Sequence, residues 1–259
     1  MTNGKRAVLT LRGISKSFGG LKAVMDVDLD LYEGEVLAIV GDNGAGKSTL
    51  IKILTGVHMA DSGVITIDGK TAEITNRRDS IDAGIEAVYQ NLGLVNSLPA
   101  PHNVFLGQEP VRRILGIPFI DNRAMRDQTQ RILRDRVGIV LENLDDPVHN
   151  YSGGQRQAVA IARAIFNTDL RVLVLDEPTA ALGPQETKKT LELIRGVRDR
   201  GISVILISHN LENVFSVADR VQVMRGGRSV GVVEVAKSSR KDVLGLIVGS
   251  EDAQPDAYA

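Results

Sequence analysis

Val36-Leu37-Ala38-Ile39-Val40-Gly41-Asp42-Asn43-Gly44-Ala45-Gly46-Lys47-Ser48-Thr49-Leu50-Ile51-Lys52-Ile53-Leu54 joins an apolar run, a glycine-rich loop and an amphipathic run in immediate succession. Five apolar residues ending in glycine read as a buried strand, and Leu50, Ile51 and Leu54 recur at helical spacing. Strand, loop and helix therefore follow one another.

The loop Gly41 to Ser48 fits G-x-x-x-x-G-K-[ST], and each fixed residue has a physical task. Gly41, Gly44 and Gly46 permit tight curvature, so N–H groups through Asn43 and Ala45 and at the helix start can face phosphate oxygens. Lys47 supplies a point charge to the β- and γ-phosphates. The Ser48 hydroxyl is a ligand for Mg²⁺, and Thr49 is placed to contact the α-phosphate. Taken alone, the loop could also be a glycine turn that merely caps a helix. A phosphate loop needs a second acidic residue for Mg²⁺, and Asp176 follows Val172-Leu173-Val174-Leu175 where that carboxylate belongs. Glu177 comes next and is the general-base candidate for activating water. Without the phosphate loop, the same Asp-Glu pair would read as a solvated strand end.

Outward from this unit, Ala7 to Leu11 and Val27 to Leu31 read as antiparallel strands around a turn at Gly19-Gly20. Gly63 to Lys70 reads as a hairpin ending at an Asp-Gly turn. From about Gln90 to Ala164, prolines punctuate the chain, and its best periodic stretch begins at Asp121. Asp121 is a plausible N-cap, with Met125, Ile132, Leu133 and Val137 on one stripe, so a largely helical insertion is expected. Val172 to Leu175 and Ser203 to Ile207 then flank an amphipathic helix near Glu186 to Arg200. Buried runs alternating with helices predict a mostly parallel sheet covered on both faces.

The totals fit an ordinary globular chain of 259 residues, 43% hydrophobic and 24% charged, with a formal net charge of -1. No global basic field recruits nucleic acid. The absence of cysteine excludes disulfides and thiolate metal sites. The first six residues lack the apolar run of a signal peptide, and no stretch approaches the ~20 apolar residues that span a bilayer. A flexible tail is expected over residues 251–259.

Tyr151-Ser152-Gly153-Gly154-Gln155 makes the resemblance specific: the sequence resembles the ABC (ATP-binding cassette) ATPases. Tyr151 stands where that family usually has leucine, and its side chain is expected to pack. The resemblance implies an α/β fold with a RecA-like, mostly parallel sheet core, an N-terminal antiparallel β subdomain and a helical insertion. It implies one domain over residues 1–250, with a helical subdomain at about 91–164. It also implies that Ser152, Gly153, Gly154 and Gln155 bind the γ-phosphate of ATP held by another subunit. Gln90 resembles the glutamine that reaches Mg²⁺ and the attacking water. His209 resembles the histidine that contacts the γ-phosphate and Glu177; His58, His102 and His149 read as surface residues. Phe18 is similar in placement to the aromatic that stacks on adenine, with Val24 as its apolar neighbour. Ala180-Ala181-Leu182-Gly183 departs from the family by carrying Gly183 in place of an aspartate.

Local wording such as Gly41-Asp42-Asn43-Gly44, Asn103-Val104-Phe105-Leu106-Gly107 and Ser208-His209-Asn210 resembles the single-cassette branch of monosaccharide importers, ribose- and fructose-type. That implies a peripheral subunit at the cytoplasmic face of the inner membrane, hydrolysing ATP with Mg²⁺. Its implied partners are a second ATP-binding subunit, transmembrane permease subunits and, indirectly, an extracytoplasmic sugar-binding protein, with no nucleic acid. Residues 90 to 119 are expected to hold the groove for the permease, with Val104-Phe105-Leu106 either in that joint or in the core. A non-sugar importer, or a cassette acting on nucleic acid or ribosomes, stays open as the alternative.

Overall fold

The computed structural model describes residues 6–166, 169–180 and 182–249. The expectations for residues 1–5, Ala181 and the tail 251–259 lie outside these. β1 (Ala7–Phe18) and β2 (Leu21–Tyr32) form a long antiparallel pair around Gly19-Gly20. β3 (Val36–Val40) leads into the glycine loop and α1 (Lys47–Leu54). β4 (Ser62–Ile67) and β5 (Lys70–Thr71) flank Asp68 and Gly69, whose φ values of 51° and 79° match a two-residue hairpin turn. α2 (Arg77–Asp82) and β6 (Ile85–Val88) follow.

The stretch between β6 and the next sheet strand is helical with one exception. It contains α3 (Ala100–Val104), then β7 (Val111–Ile114) and β8 (Ile117–Ile120), then α4 (Asn122–Arg131) and α5 (Gly153–Phe166). The β7–β8 hairpin is an addition to the largely helical reading of this stretch: Leu115-Gly116 is its two-residue turn, and Pro110 and Pro118 had read only as punctuation. Asp121 caps α4 as expected, its Oδ1 accepting from Ala124 N at 3.0 Å. α4 runs into a π-helical turn, Ile132–Val137, and Met125, Leu133 and Val137 are all buried. Val104 and Phe105 are core residues, Phe105 lying 4.1 Å from Phe166 between ring centroids, while Leu106 is exposed.

β9 (Val172–Asp176), α6 (Pro184–Asp199), β10 (Ser203–Ile207), α7 (Leu211–Val217), β11 (Arg220–Arg225), β12 (Arg228–Glu234) and α8 (Arg240–Val248) complete the described chain. The main sheet has the order β12-β11-β3-β10-β9-β6 and is parallel except for β12. Val36, Ala38 and Val40 join one core cluster with the helices that follow β6, and Leu37 and Ile39 join another with α1 and the antiparallel sheet. A strand buried on both faces must read as a continuous apolar run, which is why Val36–Val40 and Ser203–Ile207 were visible in the sequence.

Candidate functional site

The register of the main sheet decides where the site forms. Ile207 at the end of β10 pairs with Ile39 of β3 on one side and Asp176 of β9 on the other. The segments leaving these three strands therefore emerge together at one carboxyl edge, where α/β sheets bind ligands. Glu177 N donates to Ile207 O at 3.0 Å, which fixes the first residue beyond β9. Glu177 adopts φ 51°, a left-handed conformation unfavourable for a side chain with a Cβ. That turn aims its carboxylate at His209, and Glu177 Oε1 lies 2.9 Å from His209 Nδ1.

The loop Gly41 to Ser48 takes its shape from its glycines. Gly41 has φ 149°, and a Cβ there would collide with the carbonyl of Met224; Gly44 and Gly46 have φ 82° and 98°. Gly46 caps α1 in the left-handed region and no side chain caps the helix, so the N–H groups of its first turn stay open to an anion. Ser48 is exposed and Thr49 half-buried there. Lys47 Nζ donates to the carbonyls of Gly41 and Asp42 at 2.7 and 2.8 Å, folded across the loop.

These pieces line a single open cleft of about 480 Å³: residues 43–49 on one wall, Gln90, Asp176, Glu177 and His209 opposite, and Leu21, Lys22 and Ala23 at the rim. Burial, and then the adjacent Glu177, push the Asp176 carboxyl above its usual range against the pull of Lys47. Burial likewise pulls the Lys47 ammonium below its usual value, with Glu177, Asp42 and Asp176 opposing. Ser48, Gln90 and Asp176 offer hydroxyl, amide and carboxylate oxygens, the hard donors Mg²⁺ takes, beside two carboxylates whose repulsion a cation relieves. The residues present fit that ion.

Tyr151 to Gln155 stand elsewhere. None of them lines the phosphate-loop cleft; Gly153 lines a neighbouring cavity of about 310 Å³ with Arg156, Gln157 and Leu182. The two cavities share Gln90, Glu177 and Ala180 as their common wall. Ser152 and Gln155 close the first turn of α5 reciprocally, Ser152 N donating to Gln155 Oε1 at 2.8 Å and Gln155 N to Ser152 Oγ at 3.3 Å. Gly153 N donates to Glu186 Oε1 at 2.9 Å. So three of the amides of residues 152–155 are already engaged within the chain, one of them by a carboxylate. Tyr151 packs inward: its hydroxyl donates to Asn143 O at 2.8 Å, and burial, aided by Asp146 and Asp145, pushes the phenol up to about 12. Its side chain does not face a nucleotide.

Two further expectations shift. Val24 is only 1% exposed and belongs to the core, so Leu21, Lys22 and Ala23 present themselves to the cleft in its place. Phe18 stands at the β1–β2 turn opposite Leu21, 41% exposed. His58 meets it edge-on at 5.0 Å, a contact that nothing local to that histidine in the sequence signalled. Sequence reasoning passed over Glu186, His58 and Ala23. Alternation along β2 would have kept Val24 facing outward, since Val27, Leu29 and Leu31 are the buried positions; an irregularity at Asp26, with φ 51°, shifts the phase and exchanges Val24 for Ala23.

The family profile described as ABC transporter matches residues 24–180. The "Fructose import ATP-binding protein FrcA" of Rhizobium meliloti is 42% identical, over 97% of this chain and 98% of its own length. The "Xylose/arabinose import ATP-binding protein XylG" of Sulfolobus acidocaldarius is 40% identical over 86% of each. The chain spans 47% of the "Ribose import ATP-binding protein RbsA" of Chromobacterium violaceum, at 42% identity over 94% of this chain. Among solved structures, a nucleotide-free ATP-binding cassette from an ABC transporter superposes with TM-score 0.77 at 26% identity, covering 93% of this chain and 98% of that one. The cbiO1 protein of Clostridium perfringens, part of the ABC transporter complex cbiONQ, gives 0.75 at 28% identity, covering 96% and 93%. With the phosphate loop, Asp176, Glu177 and His209 gathered on one sheet edge, these matches establish that the chain belongs to the ABC transporter family, as one of its ATP-hydrolysing cassettes.

Proposed function

We propose that this chain is the ATP-binding and hydrolysing subunit of an importer, powering uptake of a monosaccharide through separate permease subunits. The observation that carries the hydrolytic part is the cleft that unites Lys47, Ser48, Gln90, Asp176, Glu177 and His209. The sugar is supported by the near full-length likeness to a fructose import ATP-binding protein. The cassette is read as one domain over residues 1–250, with 91–164 as its helical subdomain.

In the proposed reaction the open amides of Gly44 and of Gly46 to Thr49, with the Lys47 ammonium, bind the phosphates, and Phe18 with Ala23 receives the adenine. Ser48, Asp176 and Gln90 would hold Mg²⁺, which supplies charge to the β- and γ-phosphate oxygens when bound. Glu177 accepts the proton of the attacking water, and His209 holds that carboxylate in place while facing the γ-phosphate. The cleft lacks Ser152 to Gln155, so a second cassette must supply them, and ATP is enclosed only between two subunits. Opening and closing of that dimer would drive the permease. No helix among the described residues is long and apolar enough to cross a membrane, which fits a subunit held at the cytoplasmic face by its partners. An extracytoplasmic sugar-binding protein completes the system.

Purification of the tagged chain from membranes tests this reading: multispanning permease subunits should co-purify, and sugar uptake into cells should fail in its absence. Salt-sensitive association with nucleic acid or ribosomes instead would overturn it.

A further inference from the structure

Away from the nucleotide cleft, the β7–β8 hairpin departs furthest from a solvated surface. Val111, Ile114, Leu115, Ile117, Phe119 and Ile120 are all exposed, Leu115 at the tip to 99%. The strands pack almost wholly against each other. A two-stranded hairpin without a covered face is marginal in water. Leu115 also has φ 51°, in a turn where Asn, Asp or Gly would relieve the strain. Both features cost stability and leave apolar surface in water, which marks an interaction site.

The register says what kind of surface fits. Arg112 pairs with Phe119 and Ile114 with Ile117 on one face; Val111 pairs with Ile120 and Arg113 with Pro118 on the other. Apolar side chains thus occupy both faces and the tip, and each face has one arginine. No acidic residue lies between Pro110 and Ile120. Among the described residues, neither guanidinium has a carboxylate partner. A protein groove would cover one face and leave the other wet. A lipid layer surrounds both.

We propose that this hairpin is a lipid anchor, sinking Leu115 and its neighbours into the interface of an anionic bilayer while Arg112 and Arg113 reach back to lipid phosphates. Four residues per strand give it a reach of about 13 Å, enough for the ~5–10 Å depth at which interfacial segments settle. The arginine stems lie along apolar surface and their heads stay with phosphate, as long basic side chains do at interfaces. The anchor adds a direct lipid contact to a cassette read above as held at the membrane by permease subunits, and its test needs no permease.

Flotation of the purified full chain decides the matter, with vesicles of phosphatidylcholine alone or mixed with phosphatidylglycerol. The chain should float with the anionic vesicles and stay behind with the neutral ones. Arg112→Ala with Arg113→Ala should weaken partitioning about fivefold per arginine, and added salt should do the same. Leu115→Asp with Phe119→Asp should abolish flotation while ATP turnover in solution stays unchanged, which controls for folding. Equal behaviour on both vesicles, or flotation of the aspartate variant like the parent, overturns the proposal. Absence of flotation, together with loss of permease co-purification in the aspartate variant, also overturns it and assigns the hairpin to a protein partner. Failure of the transport reading would show separately, as no permease co-purifying with the parent chain.

Discussion

Glu177 Oε1 and His209 Nδ1 lie 2.9 Å apart although 32 residues separate them in sequence. The contact exists because β9 and β10 are neighbours in register, with Asp176 beside Ile207, so Glu177, the first residue beyond β9, and His209, the second beyond β10, emerge at the same edge. His209 is largely exposed and Glu177 largely buried, at 74% and 17% of their side-chain surfaces, so the histidine reaches in to hold the carboxylate. Glu177→Gln should lower turnover by about 10²–10⁴-fold, because the proton acceptor is lost while every phosphate-binding group remains. His209→Ala should reduce kcat with a smaller change in KM. Steady-state ATPase assays beside nucleotide-binding titrations check both. Fast hydrolysis by Glu177→Gln would remove that residue from the role of base.

Asp176 pairs function with a stability cost. Its carboxyl is raised by burial and by Glu177, so the folded state holds a proton more tightly than the unfolded chain does. The sign follows from linkage: stability contributed by a raised group is present below the ordinary value of 3.8 and is lost as pH rises through the folded value. At neutral pH the charged Asp176 therefore burdens the nucleotide-free fold. Asp176→Asn should raise the melting temperature of the free chain at pH 7 by a few degrees at most, flatten its acid-side pH dependence, and abolish hydrolysis. Melting curves from pH 4 to pH 8 test this, and a destabilised asparagine variant would contradict it.

Much of this site was legible because its determinants are local. The Gly41–Ser48 loop states its own curvature through its glycines, and Val172–Leu175 and Ser203–Ile207 announce buried parallel strands by uninterrupted apolarity. Asp121 capped α4 where its spacing said it should. What stayed hidden depends on packing between distant segments. Glu186 reaches Gly153 N only because α5 and α6 lie side by side. His58 meets Phe18 because the segment after α1 runs beside the end of β1, where Asp61 bonds Lys16 and the Ser17 amide, and no spacing rule records that. The β7–β8 hairpin was obscured because Pro110 and Pro118 read as breaks and its apolar residues do not alternate cleanly, both faces being partly apolar.

The separation of Ser152 from the phosphate loop predicts complementation between subunits. A homogeneous Ser152→Arg chain should lose turnover, since arginine fills the place where γ-phosphate would dock. Lys47→Ala should also be inactive, through lost phosphate binding. An equal mixture of the two should recover about a quarter of parental activity, because half the dimers are mixed and each holds one intact composite site. A mixture that stays inactive despite forming mixed dimers would place the signature residues in service of their own chain.

Tyr151 separates packing from nucleotide contact. Its hydroxyl bonds Asn143 O and its ring is buried at 8% exposure. Tyr151→Phe should cost about 1 kcal/mol of stability through that hydrogen bond, with turnover within about twofold of the parent. Ultraviolet titration should find one of the four tyrosines ionising only near pH 12 and missing from the variant. A large rise in KM for ATP would instead return the phenol to the nucleotide.

Gly183 is the N-cap of α6, extended at φ -68° and ψ 165°, with no side chain to accept from the helix's first amides. Nothing lies within 4 Å of where a Cβ would stand, so the position tolerates a side chain. Gly183→Asp should therefore fold normally and gain a few tenths of a kcal/mol, as its carboxylate accepts from the Gln185 or Glu186 amide and meets the positive end of α6. The gain stays small because glycine is itself a fair cap and Glu186 already places negative charge in that turn. ATP binding by the single chain should not change, since Gly183 does not line the phosphate-loop cleft. If the residue works across the dimer, as the family's aspartate there implies, the variant should show a steeper dependence of turnover on ATP concentration. Denaturant melts and ATPase titrations on the same preparation separate the two effects. A loss of stability would mean that the glycine is needed for the turn itself rather than tolerated in it.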